Sequence, residues 1–245
     1  MSNSAPEIEL GKLTRREFRE RMASGQLQGC IIPLAAVEQH LEHMAMEHDW
    51  RSVHHVSRAV AERLRPRVLV AAGLMAGVSE HHMKHPGTLS LRPGTFLSVV
   101  NDMIESMARA GFPHILVLNG HGGNVAPCRG VFDQYQRMAS AVNLHFMSYW
   151  DLLNENDAKE LLVGGHRLPD DMPGHAQEFE TAIGLAAFPE NVRQTMWADQ
   201  EDPKPSLATA ACGQAFLDRV VPRVAAYLDD MLSGRRTNPT PPFHP

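Results

Sequence analysis

Cysteine is scarce and poorly placed for structural work: Cys30, Cys128 and Cys212 are odd in number, far apart and form no CxxC pair. That excludes a disulfide framework and a thiolate zinc site, and it fits a reducing cytoplasm. Long hydrophobic runs are missing too. No segment supplies the roughly 20 apolar residues a membrane span requires. The first residues, MSNSAPEIELGKLTRREF, are polar and charged where an export signal has an apolar core. The expectation is a soluble, unexported, cytoplasmic protein. Positive charge is thin: 23 Lys and Arg face 28 Asp and Glu, and Arg235-Arg236 is the one notable basic pair after the first twenty residues. Neither a nucleic-acid stripe nor a membrane-seeking face is expected. With no internal repeat and no low-complexity linker, residues 1–245 are expected to form a single domain, and the 43% of apolar residues is enough for a full core.

Histidine, by contrast, is plentiful. Fourteen are present, several crowded into residues 40–55 and 81–85. Short apolar runs alternate with amphipathic ones. Gln26 to Ala36, Arg67 to Met75, His114 to Leu118 and Asn143 to Trp150 read as strands. Arg51 to Leu64, Phe96 to Ala110, Val125 to Met138, Glu178 to Ala187 and Leu207 to Leu232 read as helices, the second with apolar residues three and four apart. Residues 154–176 read as a long polar loop with a short helical stretch at Ala158 to Leu162, and 236–245 as a proline-rich tail. This alternation implies an α/β fold with a mostly parallel sheet covered on both faces, whose ligands lie beyond the carboxyl ends of the strands.

The polar clusters obey that rule. Glu38-Gln39-His40 follows the first strand, Ser79-Glu80-His81-His82 the second, and Asn119-Gly120-His121 the third. Glu38, His40 and Asp49, nine residues after His40, offer carboxylates and an imidazole together, a set suited to Zn²⁺ or Mn²⁺. The plainer reading makes Asp49 the N-cap of the helix that follows. His43 and His48 are expected behind the ligands or at the surface. For His121, flanked by glycines that let backbone approach a ligand, ligation is favoured. His81, His82 and His85 are expected at a rim or subunit contact. On a helix starting near His175, Glu178 and Glu180 point to different faces, and spacing leaves open which of them faces the site.

Taken together, Glu38-Gln39-His40, Asp49, the Asn119-Gly120-His121-Gly122-Gly123-Asn124 turn, Pro86-Gly87-Thr88-Leu89-Ser90 and the helix start at His175-Ala176-Gln177-Glu178-Phe179-Glu180-Thr181 resemble the creatininase (creatinine amidohydrolase) family. The resemblance implies a three-layer α/β/α sandwich, a hydrolase that assembles as a homohexamer, and two divalent ions, Zn²⁺ and/or Mn²⁺ or Fe²⁺. It also implies Glu38, His40, Asp49, His121 and Glu180 as ligands, with Asp49 bridging, and His175 as the proton-transfer residue. Ser79, the Gly122-Gly123 backbone and Trp150 are expected against the substrate. The chain also departs from the family. Leu41 to Ala45 replaces a Gly-Pro-His-Leu-Pro segment, Val37 replaces a small residue, and Gly122-Gly123 stands where creatininases proper carry Tyr-Glu. Residues 154–176 lack their loop tryptophan. These differences point away from creatinine itself. Cleavage of another small cyclic or formylated amide is expected, or opening of a cyclic diketone of the inosose type at a C–C bond. A polyol isomerase or aldolase and a non-catalytic metal binder are the readings from other classes.

Overall fold

Four strands whose side chains alternate between two cores build the frame. The computed structural model describes residues 5–165, 167–168 and 170–238; the first four residues, His166, Pro169 and the last part of the proline-rich tail, 239–245, lie outside the described residues. Strands β1 (Gly29–Leu34), β2 (Val68–Val70), β3 (His114–Asn119) and β4 (Asn143–Ser148) pair entirely in parallel, in the order β2-β1-β3-β4. Helices α1 (Arg15–Ala23), α2 (His48–Arg63), α3 (Pro93–Arg109), α4 (Val125–Arg129), α5 (Phe132–Met138), α6 (Glu155–Leu161), α7 (Glu178–Ala187) and α8 (Ala210–Leu232) complete it.

Because successive strand residues face opposite sides, Ile31, Val68, Val70, Leu116, Leu118 and Met147 join one core with apolar residues of α2, α6, α7 and α8. Cys30, Ile32, Leu34, Leu69, Ile115, Val117 and Leu144 join the other, against α1, α3, α4 and α5. This is the expected α/β/α sandwich. Among the described residues no helix is long and apolar enough to cross a membrane.

The connection after β1 runs through α2 on the first face, and the connection after β3 runs through α4 and α5 on the second. The crevice between the carboxyl ends of β1 and β3 is therefore the switch point of the sheet, the place where open parallel sheets bind ligands. Register brings the exits level: Leu34 pairs with Asn119, and Asn119 with Ser148.

Several boundaries differ from the sequence expectation. The first helix after β1 begins at His48, three residues early, with Glu47 at the N-cap; Asp49 is inside the first turn and caps nothing. The stretch from 125 to 138 is two helices separated at Gly130 and Val131. The short helix in the loop starts at Glu155, since the Asn154 side chain accepts from Asn156 and Asp157 N–H while Asp157 returns to Asn154 N–H. The last helix begins at Ala210, capped by Thr209, and continues through Pro222. Helix α1 was not anticipated, although Thr14 and Glu17 form a complete capping box.

Candidate metal centre

Four chain segments converge at the switch point, the last of them the start of α7, which carries Glu180. Glu38 is held at the exit of β1 by its N–H to the Met46 carbonyl (3.0 Å). At the exit of β3, Asn119 accepts from His121 N–H (3.2 Å) and donates to the His121 carbonyl (2.7 Å) and Ser148 Oγ (3.1 Å). Asn124 donates to Asn119 Oδ1 (3.1 Å) and Ala35 O (3.2 Å) and accepts from Val78 N–H (2.9 Å), so the turn is tied to the exits of both neighbouring strands. Gly120 admits the third segment: a Cβ there would lie 2.7 Å from Asp49 O and 2.8 Å from Val53 Cβ, so only glycine lets the start of α2 come this close.

The result is a buried cluster of Glu38, His40, Asp49, His121 and Glu180, each at most 5% exposed. Asp49 presents its two oxygens to two separate partners: Oδ1 lies 3.1 Å from His40 Nε2, and Oδ2 lies 2.9 Å from His121 Nδ1. Glu180 Oε2 approaches His40 Nε2 (3.8 Å), and Glu38 Oε1 approaches His121 Nδ1 (3.3 Å). Two half-sites thus share one carboxylate.

Backbone carbonyls set the tautomers. His40 Nδ1 lies 3.1 Å from Glu38 O and His121 Nε2 lies 3.1 Å from Val78 O, and a carbonyl can only accept. In the neutral rings the remaining nitrogens, His40 Nε2 and His121 Nδ1, turn lone pairs toward the carboxylates, the outer-shell arrangement common to metal-bound histidines. Lone pairs facing carboxylate oxygens need a cation between them.

Without a metal ion that cation is the proton. Burial opposes charge on His40, but Asp49 overcomes it and holds the ring up at about 9. Burial opposes His121 in the same way, and Asp49 and Glu38 raise it to about 10. Burial chiefly, with the nearby carboxylates of Asp49 and Glu38 adding to it and His40 opposing, lifts Glu180 to about 8. Protons still leave gaps: Glu38 Oε2 and Asp49 Oδ2 are buried without a hydrogen-bond partner, the close approach of His121 to Asp49 being out of line for one. Donor atoms 2.9 to 3.8 Å apart match neighbouring ligands around an ion with bonds of about 2.1 Å. Glu38, His40 and Asp49, and likewise His40, His175 and Glu180, each offer three atoms within 4.8 Å of one another. The residues fit divalent ions.

Glu178 goes elsewhere. Its two oxygens accept from Val163 N–H (2.7 Å) and Gly164 N–H (2.6 Å), whereas Glu180 Oε2 accepts from Ala176 N–H (2.6 Å) beside His175. His175 lies between Gly174 (φ 61°) and Ala176 (φ 53°), both left-handed. Its ring is 4.7 Å from His40, and burial pushes its pKa down to about 4.

Ser79, expected against the substrate, is wholly buried, with its hydroxyl 3.1 Å from His121 Nε2. Gly122 and Trp150 line one cavity of about 560 Å³ together with Leu168, Met172, Pro173 and Gly174. A second, of about 670 Å³, reaches His40 and is walled by Leu41, Glu42, His85 and Asp202, so the segment that departs from the family pattern borders the cluster. His48 is buried, packed against His40 and Phe188; His43 is buried against Thr181 and Gln200. His81 and His85 are exposed, as a rim would be. His82 is not at the rim: its ring stacks on His175 at 4.2 Å and its Nε2 is 3.8 Å from Glu38. Its place at a strand exit, shared with the other clusters, was the available signal.

A sequence model of the creatininase family, described as creatinine amidohydrolase, matches residues 11–208. The chain belongs to the creatininase family. Its members are metal-dependent hydrolases, and this protein is such an enzyme. It is 31% identical over 195 residues to a creatinine amidohydrolase of Pseudomonas putida, covering 75% of this chain and 73% of that protein. It is 30% identical over 197 residues to a 3-dehydro-scyllo-inosose hydrolase of Thermotoga maritima, covering 78% of this chain but 60% of that protein. A zinc–zinc form of a mutant creatininase superposes with a TM-score of 0.80 at 26% identity, over 92% of this chain and 98% of that one. Creatininase-family proteins thus act on more than one kind of substrate.

Proposed function

We propose that this creatininase-family enzyme hydrolyses the C–N bond of a small cyclic or formylated amide other than creatinine, using two divalent ions held by Glu38, His40, Asp49, His121 and Glu180. The observation that carries the reading is Asp49, whose two oxygens face two different imidazoles, as a bridging carboxylate does. The mixed carboxylate and imidazole donors suit Zn²⁺, Mn²⁺ or Fe²⁺. Bound there, the ions would supply a water acidic enough to attack near neutral pH and a positive charge for the carbonyl oxygen.

The protein's own groups do the rest. The backbone carbonyls of Glu38 and Val78 fix the tautomer of each ligand ring, with the proton on Nδ1 of His40 and on Nε2 of His121. Ser79 braces His121 from behind. His175, neutral at physiological pH, handles hydrogen bonding and proton passage at the reacting carbonyl. Trp150 and the open face of Gly122 wall the cavity in which the substrate body is received. Its volume and apolar wall favour a substrate larger than creatinine, in line with Gly122-Gly123 standing where creatininases proper carry Tyr-Glu. The reading carries with it a cytoplasmic homohexamer.

A second reading, C–C cleavage of a cyclic diketone, is favoured by the similarity to the inosose hydrolase. The same ions would serve either attack. The test is a panel of cyclic amides, N-formyl compounds, creatinine and 3-dehydro-scyllo-inosose given to zinc- and manganese-loaded protein in ¹⁸O water. One ¹⁸O in a new carboxylate with amine release supports amide hydrolysis. One ¹⁸O with a ring-opened keto product supports the second reading. Isomerised or cleaved sugar without ¹⁸O, or fewer than two ions per chain, rejects both.

A further inference from the structure

The five ligands and His175 leave one residue of Glu38-Gln39-His40 without a task. Gln39 is anchored by its N–H to Thr88 Oγ1 (3.1 Å), and its side-chain Oε1 accepts from Leu41 N–H (3.0 Å), brought back by the left-handed turn at Leu41 (φ 53°). A backbone N–H can only donate, so the carbonyl end of the amide must face Leu41. The NH₂ end is thereby aimed at two histidines: Nε2 lies 2.8 Å from His175 Nε2 and 2.9 Å from His82 Nδ1. An amide NH₂ has two protons and accepts nothing, so each ring nitrogen must offer a lone pair.

The consequence for the rings is definite. A neutral imidazole carries one proton, so that of His175 is on Nδ1 and that of His82 on Nε2. These are the nitrogens turned toward Glu38 Oε1, at 3.6 and 3.8 Å. The two rings stack at 4.2 Å with 25° between their planes, so they are held as a pair.

We propose that Gln39 is a positioning residue that fixes His175 and His82 as neutral rings of opposite tautomer, so that His175 meets a bound substrate through Nδ1–H as a hydrogen-bond donor. The tautomer assignment stands on the hydrogen bonds alone; its catalytic meaning rests on the hydrolase reading above.

The test is a long-range ¹H–¹⁵N spectrum of the full-length protein labelled at histidine nitrogens, recorded at pH 7.5 metal-free and zinc-loaded. His175→Gln and His82→Gln supply the assignments. The expected spectrum has His175 protonated at Nδ1 only and His82 at Nε2 only. In Gln39→Glu, which still accepts from Leu41 but cannot donate, His175 is expected to move its proton to Nε2. Gln39→Glu should also lower kcat at least tenfold with KM changed less than threefold. His175 found with Nε2–H or as imidazolium in the unmodified protein overturns the proposal, as does a Gln39→Glu spectrum with unchanged tautomers. If that variant fails to fold, the unmodified protein's spectrum decides alone. Absence of turnover on every substrate, with the expected tautomers observed, would sink the hydrolase reading and leave this assignment standing.

Discussion

Loading the metal-free protein with two divalent ions should expel protons in a number that the cluster itself sets. At pH 7 His40, held at about 9, His121, at about 10, and Glu180, at about 8, each carry a proton that a ligand must surrender. Glu38 and Asp49 contribute none: burial would raise both, but His121 lowers Glu38, and His40 and His121 lower Asp49, so both are already ionised. About three protons per chain should therefore leave the side chains, and overall affinity for the pair of ions should rise about a thousandfold per pH unit near neutrality. The count should fall to about two above pH 8 and about one above pH 9, as each group becomes ionised beforehand. Calorimetric titration with Mn²⁺ in buffers of different ionisation enthalpy reads the number directly. Glu180→Gln, which has no carboxyl proton to lose, should release about one fewer at pH 7. Release of less than one proton at pH 7, or a Glu180→Gln count equal to that of the unmodified protein, would refute the ligand set.

The same protons govern stability without metal. The folded pKa values of His40 and His121 lie above the ordinary 6.5, and that of Glu180 above 4.5, so their contributions are whole below those ordinary values and vanish as pH rises through about 9, 10 and 8. The melting temperature of the metal-free protein should fall between pH 6 and pH 9 while saturating metal flattens the curve; a metal-free curve that rises over this range contradicts the assignment. Gly123→Ala places a Cβ 2.1 Å from Val78 O and 2.5 Å from His121 Nε2. The His121 half-site should be lost and elemental analysis should find one ion per chain, with near-native far-UV circular dichroism; two ions retained would show that His121 is not a ligand. Glu178→Gln keeps one acceptor oxygen for the two N–H groups of Val163 and Gly164. The loss of one charge-assisted bond is worth about 2 kcal/mol, or roughly 4–8 °C in melting temperature, with metal stoichiometry still two. A drop in stoichiometry would mean that Glu178, too, is a ligand.

What could be read from the chain and what could not divides along the range of the forces involved. The strands, the two-sided sheet and the common edge at which Glu38, Ser79 and His121 emerge follow from hydrophobic alternation, a property of neighbours in sequence. Helix α1 was also readable, through Thr14 and Glu17, but its polar surface gives no periodic stripe to draw attention to it. Gln39, His82 and His175 lie 43 and 136 positions apart along the pairs that join them, and no local pattern reports a shared hydrogen bond over such distances. Glu178 and Glu180 show the limit most sharply. Two residues apart on a helix of 3.6 per turn they point about 200° apart, so only one can face His40, and periodicity says no more. The choice is made by the helix's rotation about its axis. That rotation is set outside α7, by the N–H groups of Val163 and Gly164 taking one carboxylate and that of Ala176 taking the other. Val163, Gly164 and Ala176 therefore decide which glutamate arrives at the cluster beside His175.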